Sequence, residues 1–219
     1  MENKKKIPVH SFDVYGVLLN QELMAEQIID LFKEVATGEL SDEEIIRRVT
    51  DYQSLVNKQP EALREKPRII NEVYTYALNK GAIVDPSKAL YEDTLHSLAG
   101  ILDNDQQVVI LGSQNFDISN LPEEISRRML GSYVGRKNNP DTFRDLVSKL
   151  GELYGLVSHS EDGLIELRAA ADSGLQRKNL IYVVRDNSNI EDVLKEGFTV
   201  SSNLQSDMYL RMGNEYMVK

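Results

Sequence analysis

Ile7-Pro8-Val9-His10-Ser11-Phe12-Asp13-Val14-Tyr15-Gly16-Val17-Leu18 is the stretch that decides how this chain is read. A short run carrying Val9 and Phe12 stops at Asp13, and Gly16 then permits a sharp backbone turn. That pattern describes a strand with an acid at its C-terminal end. A carboxylate there is costly to bury unless something uses or compensates it. Open α/β sheets bind their ligands in the crevice at those strand ends. Asp13 is therefore the candidate reactive centre; the plainer alternative is an aspartate that closes a turn.

The sequence beyond this strand has two textures. Residues 20–98 read as helical: Met24, Ile28, Leu31, Phe32 and Val35 share one stripe. Ser41-Asp42-Glu43-Glu44 is a capping box for a second helix with Ile45, Val49, Tyr52 and Val56 on its apolar face. Asp85-Pro86 opens a further helix to about residue 98. After residue 100, strands and helices alternate. Strands are expected at 107–111, 132–134, 156–158, 180–184 and 198–201. Helices are expected at 122–130, from Pro140 to Gly151, at 162–173 and at 190–195. The tail from Asn203 carries no assignment. Repeated βαβ units imply a parallel sheet with right-handed crossovers. The expected architecture is α/β: a Rossmann-like parallel-sheet core (1–18 and 99–219) with an all-helical cap (19–98) inserted after the first strand, over the ligand edge.

Bulk properties narrow the function. The 219 residues are 41% hydrophobic and 27% charged, as in a globular chain of one large domain or a core with a smaller lobe. A net charge of -10 and no long basic stripe argue against nucleic acid or an anionic membrane as partner. No run approaches the ~20 apolar residues of a membrane span. The chain has no cysteine, which excludes disulfides, thiolate catalysis and zinc–thiolate sites. A reducing compartment fits, and a cytoplasmic location is expected. His10, His96 and His159 lack the spacing of a helical zinc pair.

Four strand ends offer polar groups: Asp13, Ser113, Lys137 ahead of Pro140, and the acids Glu161, Asp162 and Glu166. Asp13 suits a carboxylate nucleophile. Ser113 suits a hydrogen bond to a phosphoryl or carboxylate oxygen. Lys137 would neutralise the nucleophile and the charge developing on the transferred group. Carboxylates opposite Asp13 would complete an oxygen-ligand site for Mg²⁺.

These segments, in this order, resemble the haloacid dehalogenase-like (HAD) superfamily. Asp13-Val14-Tyr15-Gly16-Val17-Leu18 is similar to its first motif, and Ser113 after its strand to the second. Lys137, three residues before Pro140 and six before Phe143, is similar to the third; residues 161–166 resemble a modified fourth. The resemblance implies a nucleophilic Asp13. In the family's phosphatases it implies Mg²⁺ held by that aspartate, by the backbone carbonyl two residues on (here Tyr15) and by a fourth-motif acid, here Glu161.

Two departures matter. Phosphatases of the family resemble D-x-D, whose second acid serves as general acid and base. Here that position is Tyr15, a poorer donor to a leaving alkoxide, and such help is worth ~10²–10⁴-fold. D-x-Y instead resembles the 2-haloacid dehalogenases, whose leaving halide needs no proton. Yet Ser160-Glu161-Asp162-Gly163 keeps carboxylates where those dehalogenases have a metal-free turn. The reading is a Mg²⁺-dependent phosphatase of a small phosphorylated metabolite. Asp13, Lys137 and Ser113 are its catalytic residues. Ser113, Gln114 and Tyr15 meet substrate, and Asp13, Tyr15, Glu161 and Glu166 meet metal. The alternatives are a 2-haloacid dehalogenase-type hydrolase, or a catalytically degraded binding protein on the same fold. The only partner expected is a small-molecule substrate, with the chain a monomer or homodimer.

Overall fold

The computed structural model describes residues 5–20, 23, 27, 86–113, 116–185 and 190–217. The chain divides into two compact units, Met1–Asn20 with Leu90–Lys219, and Gln21–Ala89. The stripes at 24–35 and 45–56, the capping box at 41–44 and Gln114 lie outside the described residues.

Six parallel strands form one sheet: β1 (Ile7–Phe12), β2 (Gln107–Gly112), β3 (Ser132–Val134), β4 (Tyr154–Glu161), β5 (Leu180–Val183) and β6 (Thr199–Ser201). Their order is β3-β2-β1-β4-β5-β6. The chain winds outward one way from β1 and the other way from β4, so the switch point where a parallel sheet opens a crevice lies between these two strands. The helices of this unit are α1 (Glu92–Leu102), α2 (Glu123–Ser126), α3 (Pro140–Leu150), α4 (Leu164–Asp172), α5 (Glu191–Lys195) and α6 (Ser206–Met217). The chain re-enters the sheet unit at Leu90, not after residue 98 as the sequence suggests. The reason is α1, which buries Leu98, Ile101 and Leu102 and packs on β2 and α6.

Local chemistry places these elements. Val108, Val109, Ile110 and Leu111 are all buried, as a strand covered on both faces requires. Asn139 caps α3 by accepting a hydrogen bond from the Asp141 amide, Pro140 occupies its first turn, and Gly151 ends it at a φ of 70°. Phe143 and Leu146 of α3 pack against Leu111, Leu156 and Leu167. On the other face lies α6, formed by the unassigned tail. Its Tyr209 is fully buried, with ring centroids 5.5 Å from His10 and 5.0 Å from Phe12.

β4 is longer than its apolar residues suggest. The sequence points to 156–158, but the strand continues through Ser158, His159, Ser160 and Glu161, all buried. Buried polar groups are tolerated when they find partners, and each of the three before Glu161 has at least one, with His159 Nε2 left over. Ser158 Oγ is 2.7 Å from His10 Nδ1, Ser11 Oγ is 3.0 Å from His159 Nδ1, and Ser160 Oγ is 2.7 Å from the Tyr209 hydroxyl. His10 Nε2 lies 2.7 Å from Gln106 Oε1. A carbonyl oxygen only accepts, so His10 carries its proton on Nε2 and takes the Ser158 proton on Nδ1.

A register shift adds the decisive adjustment. Val9 pairs with Leu156, but His10 pairs with Ser158, so β4 carries one extra residue. Phe12 then pairs with Ser160, and the Asp13 amide donates to the Ser160 carbonyl at 2.9 Å. One step further, Asp13 and Glu161 fall side by side. Without the bulge Asp13 would stand beside Ser160, and Glu161 would be one position too far along.

The two crossings between the units are stitched together on the sheet side. The amide of Tyr91 and the hydroxyl of Thr94 both donate to the Leu18 carbonyl at 3.0 Å. Arg185, just past β5, forks onto Asp93 (Nη1–Oδ2 2.7 Å, Nη2–Oδ1 2.9 Å), donates to the Val17 carbonyl and lies 3.9 Å over the Tyr91 ring. A rigid planar fork suits this joint better than a lysine point charge.

His10 gives the fold a pH dependence. Burial lowers its pKa to about 4, with the Gln106 hydrogen bond opposing the fall. A depressed folded value stabilises the protein above about pH 6.5, and that stability is lost as pH falls towards 4. We expect His10 to contribute about 3 kcal/mol of this loss. Urea denaturation at pH 7 and pH 4 should show a smaller acid loss in His10→Gln than in wild type. An equal loss in both proteins would refute this role.

Candidate active site

Three strand ends converge at the switch point. Asp13 follows β1, Glu161 ends β4, and Lys137 sits in the connection from β3 to α3. Lys137 Nζ is 2.6 Å from Asp13 Oδ1 and 2.7 Å from Glu161 Oε2, and all three side chains are nearly buried. The loop that carries Lys137 is closely held. The Gly135 amide donates to the Gly112 carbonyl at 3.0 Å, and the Thr142 hydroxyl donates to the Arg136 carbonyl at 2.8 Å. A side chain at Gly135 would collide with the Thr142 methyl group, so this loop can lie close to α3 only with glycine there.

Asp162 joins the cluster. One oxygen from each of Asp13, Glu161 and Asp162 lies within 4.8 Å of the others. The sequence pattern predicts a helix starting at Asp162 and points to Glu166 as the further acid. The helix begins instead at Leu164, after Gly163, which leaves Asp162 at the strand end beside Asp13. Glu166, in the first turn of α4, is not part of the three-carboxylate group; its carboxylate folds back over Gly163. The signal for Asp162 was adjacency to Glu161, masked by reading β4 as ending at Ser158.

The other candidate positions surround this cluster. Ser113 is exposed immediately after β2, the strand next to β1. Tyr15 is 43% exposed in the turn after Asp13. That turn is tight: Gly16, at a φ of 79°, donates its amide to the Leu19 carbonyl, and the Leu18 and Leu19 amides both donate to the Val14 carbonyl. His159 is fully buried beneath the cluster, its Nε2 3.4 Å from Glu161 Oε2.

The electrostatics show strain of one sign. Burial pushes the Glu161 carboxyl up to about 8; the Asp13 charge adds to the rise, and Lys137 opposes it. Burial, then Glu161 and Asp13, raise Asp162 well above the usual carboxylate range. Burial alone would lower Lys137, yet Glu161 and Asp13 hold it above the ordinary lysine value. One ammonium therefore serves three carboxylates. An all-oxygen, negatively charged donor set is what a hard cation such as Mg²⁺ takes, so these residues fit it.

No protein-family model matches the chain, and no curated protein matches it in sequence. Solved structures do match. A Thermotoga maritima protein assigned as a β-phosphoglucomutase aligns over 95% of this chain and 99% of its own, at 12% identity and a TM-score of 0.55. A 2-haloacid dehalogenase from Pseudomonas syringae aligns over 94% and 99%, at 15% identity and 0.55. CbbY from Rhodobacter sphaeroides, solved in complex with phosphate, aligns over 90% and 95%, at 18% identity and 0.51. The chain has the haloacid dehalogenase-like fold.

Lys137 is the expected keystone. Lys137→Met should cost about 3–5 kcal/mol, because it leaves buried carboxylates unpaired. Adding Glu161→Gln to that variant should return part of the loss, since one of the stranded charges is then gone. Urea denaturation of the single and double variants reads both effects. A double variant no more stable than Lys137→Met would contradict the shared ion pair.

Proposed function

We propose that this chain is a hydrolase of a small phosphorylated metabolite, with Asp13 as nucleophile and Mg²⁺ as its cation. The observation that carries the reading is the meeting of Asp13, Glu161 and Asp162 around one lysine at the sheet's switch point. Asp13, Glu161 and Asp162 would hold the metal, which when bound supplies positive charge against a phosphoryl oxygen. Lys137 engages Asp13 Oδ1 and leaves Oδ2 to attack phosphorus. The bond from phosphorus to the leaving oxygen breaks as the bond to Asp13 forms, and Lys137 balances charge on the transferred group. Water then hydrolyses the acyl phosphate and restores the carboxylate. Ser113, exposed at the end of the neighbouring strand, is assigned to a phosphoryl oxygen. Residues 21–89, the inserted unit, are assigned to substrate selection.

Tyr15 shapes the expected rate law. A phenol is a weaker general acid for a leaving alkoxide than a carboxyl group. The leaving group must then depart with little help. Tyr15 also supports the second reading, a 2-haloacid dehalogenase-type hydrolase, because halide departs without a proton.

With Mg²⁺ present, phosphate release should be much faster from p-nitrophenyl phosphate than from an alkyl phosphate, and Asp13→Asn should fall to background. Phosphate release across a panel of esters, with and without Mg²⁺, checks this. Halide release from 2-chloropropionate without metal, with no phosphate release from any ester, would transfer the assignment to the second reading.

A further inference from the structure

Two buried polar side-chain atoms among the described residues lack a hydrogen-bond partner, Arg185 Nε and His159 Nε2. Arg185 is otherwise satisfied through both of its terminal nitrogens. His159 is the more informative. It has no solvent exposure, and two contacts fix its ring. Nδ1 lies 3.0 Å from Ser11 Oγ, and the ring meets Phe143 edge-on with centroids 5.0 Å apart. The remaining ring nitrogen, Nε2, lies 3.4 Å from Glu161 Oε2, the oxygen that Lys137 also engages.

We propose that His159 is a positioning residue: its Nε2–H, set by Ser11 donating to Nδ1, steers Glu161 Oε2 and so holds Glu161 in the carboxylate cluster. The proposal rests on the reading of Glu161 as part of the active site. Glu161 has one methylene more than an aspartate, and so one more torsion to restrain. Lys137 grips only Oε2, and the Asp162 amide reaches Oε1 at a long 3.2 Å. A third approach from below, electrostatic and without hydrogen-bond geometry at 3.4 Å, would limit the remaining freedom. The direction of that contact follows from charge. Lys137 can only donate, so Oε2 presents lone pairs; a bare lone pair on Nε2 would repel it, whereas an N–H attracts it. Ser11 has a single hydroxyl proton, which goes either to His159 Nδ1 or to the Ser158 carbonyl at 3.2 Å. The proposal requires the first.

Two measurements test it. The tautomer of His159 is read in the wild-type protein by long-range ¹H–¹⁵N correlation with ¹⁵N-labelled histidine. The expected result is a proton on Nε2 whose shift moves in Glu161→Gln. Mg²⁺ binding is read by titration calorimetry in wild type, His159→Phe and His159→Gln. Loss of an outer partner of a ligating group costs roughly 10–100-fold in metal affinity. That weakening is expected for His159→Phe, and His159→Gln, which offers an N–H, should recover to within a few-fold of wild type. A proton on Nδ1 overturns the proposal, as does a folded His159→Phe that binds Mg²⁺ like wild type. If His159→Phe does not fold, the wild-type tautomer and the response to Glu161→Gln decide. A wild type that takes up no Mg²⁺ defeats the metal reading alone; the tautomer still settles the role of His159.

Discussion

The Lys137 ammonium, shared between Asp13 and Glu161, is the contact on which the architecture of this end of the sheet depends. Three segments far apart in sequence supply it, from β1, from the β3–α3 loop and from β4. Each charge alone would be expensive in so buried a place, and together they are tolerable only in good geometry. That requirement explains features that otherwise look unrelated. The loop before α3 needs Gly135 so that it can lie against Thr142 and still deliver Lys137. β4 needs its extra residue so that Glu161 arrives beside Asp13. The α3 cap at Asn139 fixes where that loop ends.

Much of this fold can be read from the sequence, because parallel strands covered on both faces are written as runs of apolar residues. β2, β3 and β5 fall within a residue of their expected bounds. The helix opened by Asn139-Pro140-Asp141 and ended at Gly151 also forms as expected, because its start and stop signals are local. What the sequence hides is long-range satisfaction. His159 and Ser160 look like a turn until their partners on β1 and α6 are known. The tail looks undecided for the converse reason. α6 buries little beyond the short stripe of Tyr209, Met212 and Gly213, and hydrogen bonds with Gln106 and Ser160 help to fix its place.

The site was legible to the extent that strand ends are. Asp13, Lys137 and Glu161 could be proposed from position and residue type alone, and they meet in space. The sequence alone could not show that Asp162 rather than Glu166 joins Asp13 and Glu161, because that turns on where β4 stops and α4 starts, a matter of two or three residues. Ser113 reaches the same end of the sheet, exposed, with a role that only a substrate would reveal.

Charge balance ties the two chemical readings to one physical choice. Three carboxylates facing a single ammonium leave an excess of negative charge, which repels any anionic substrate and pushes Glu161 and Asp162 towards protonation. The excess can be removed by a divalent cation or by protons. A proton route suits a metal-free dehalogenase, in which Lys137 would serve Asp13 alone. But it must neutralise Glu161 and Asp162 separately, one proton for each buried acid. One divalent ion, if bound, would compensate both at once and leave Lys137 its two partners. It also carries the positive charge that a phosphoryl dianion requires. The presence of Asp162 beside Glu161, more than either residue alone, is what favours the proposed metal-dependent reading over the other despite Tyr15.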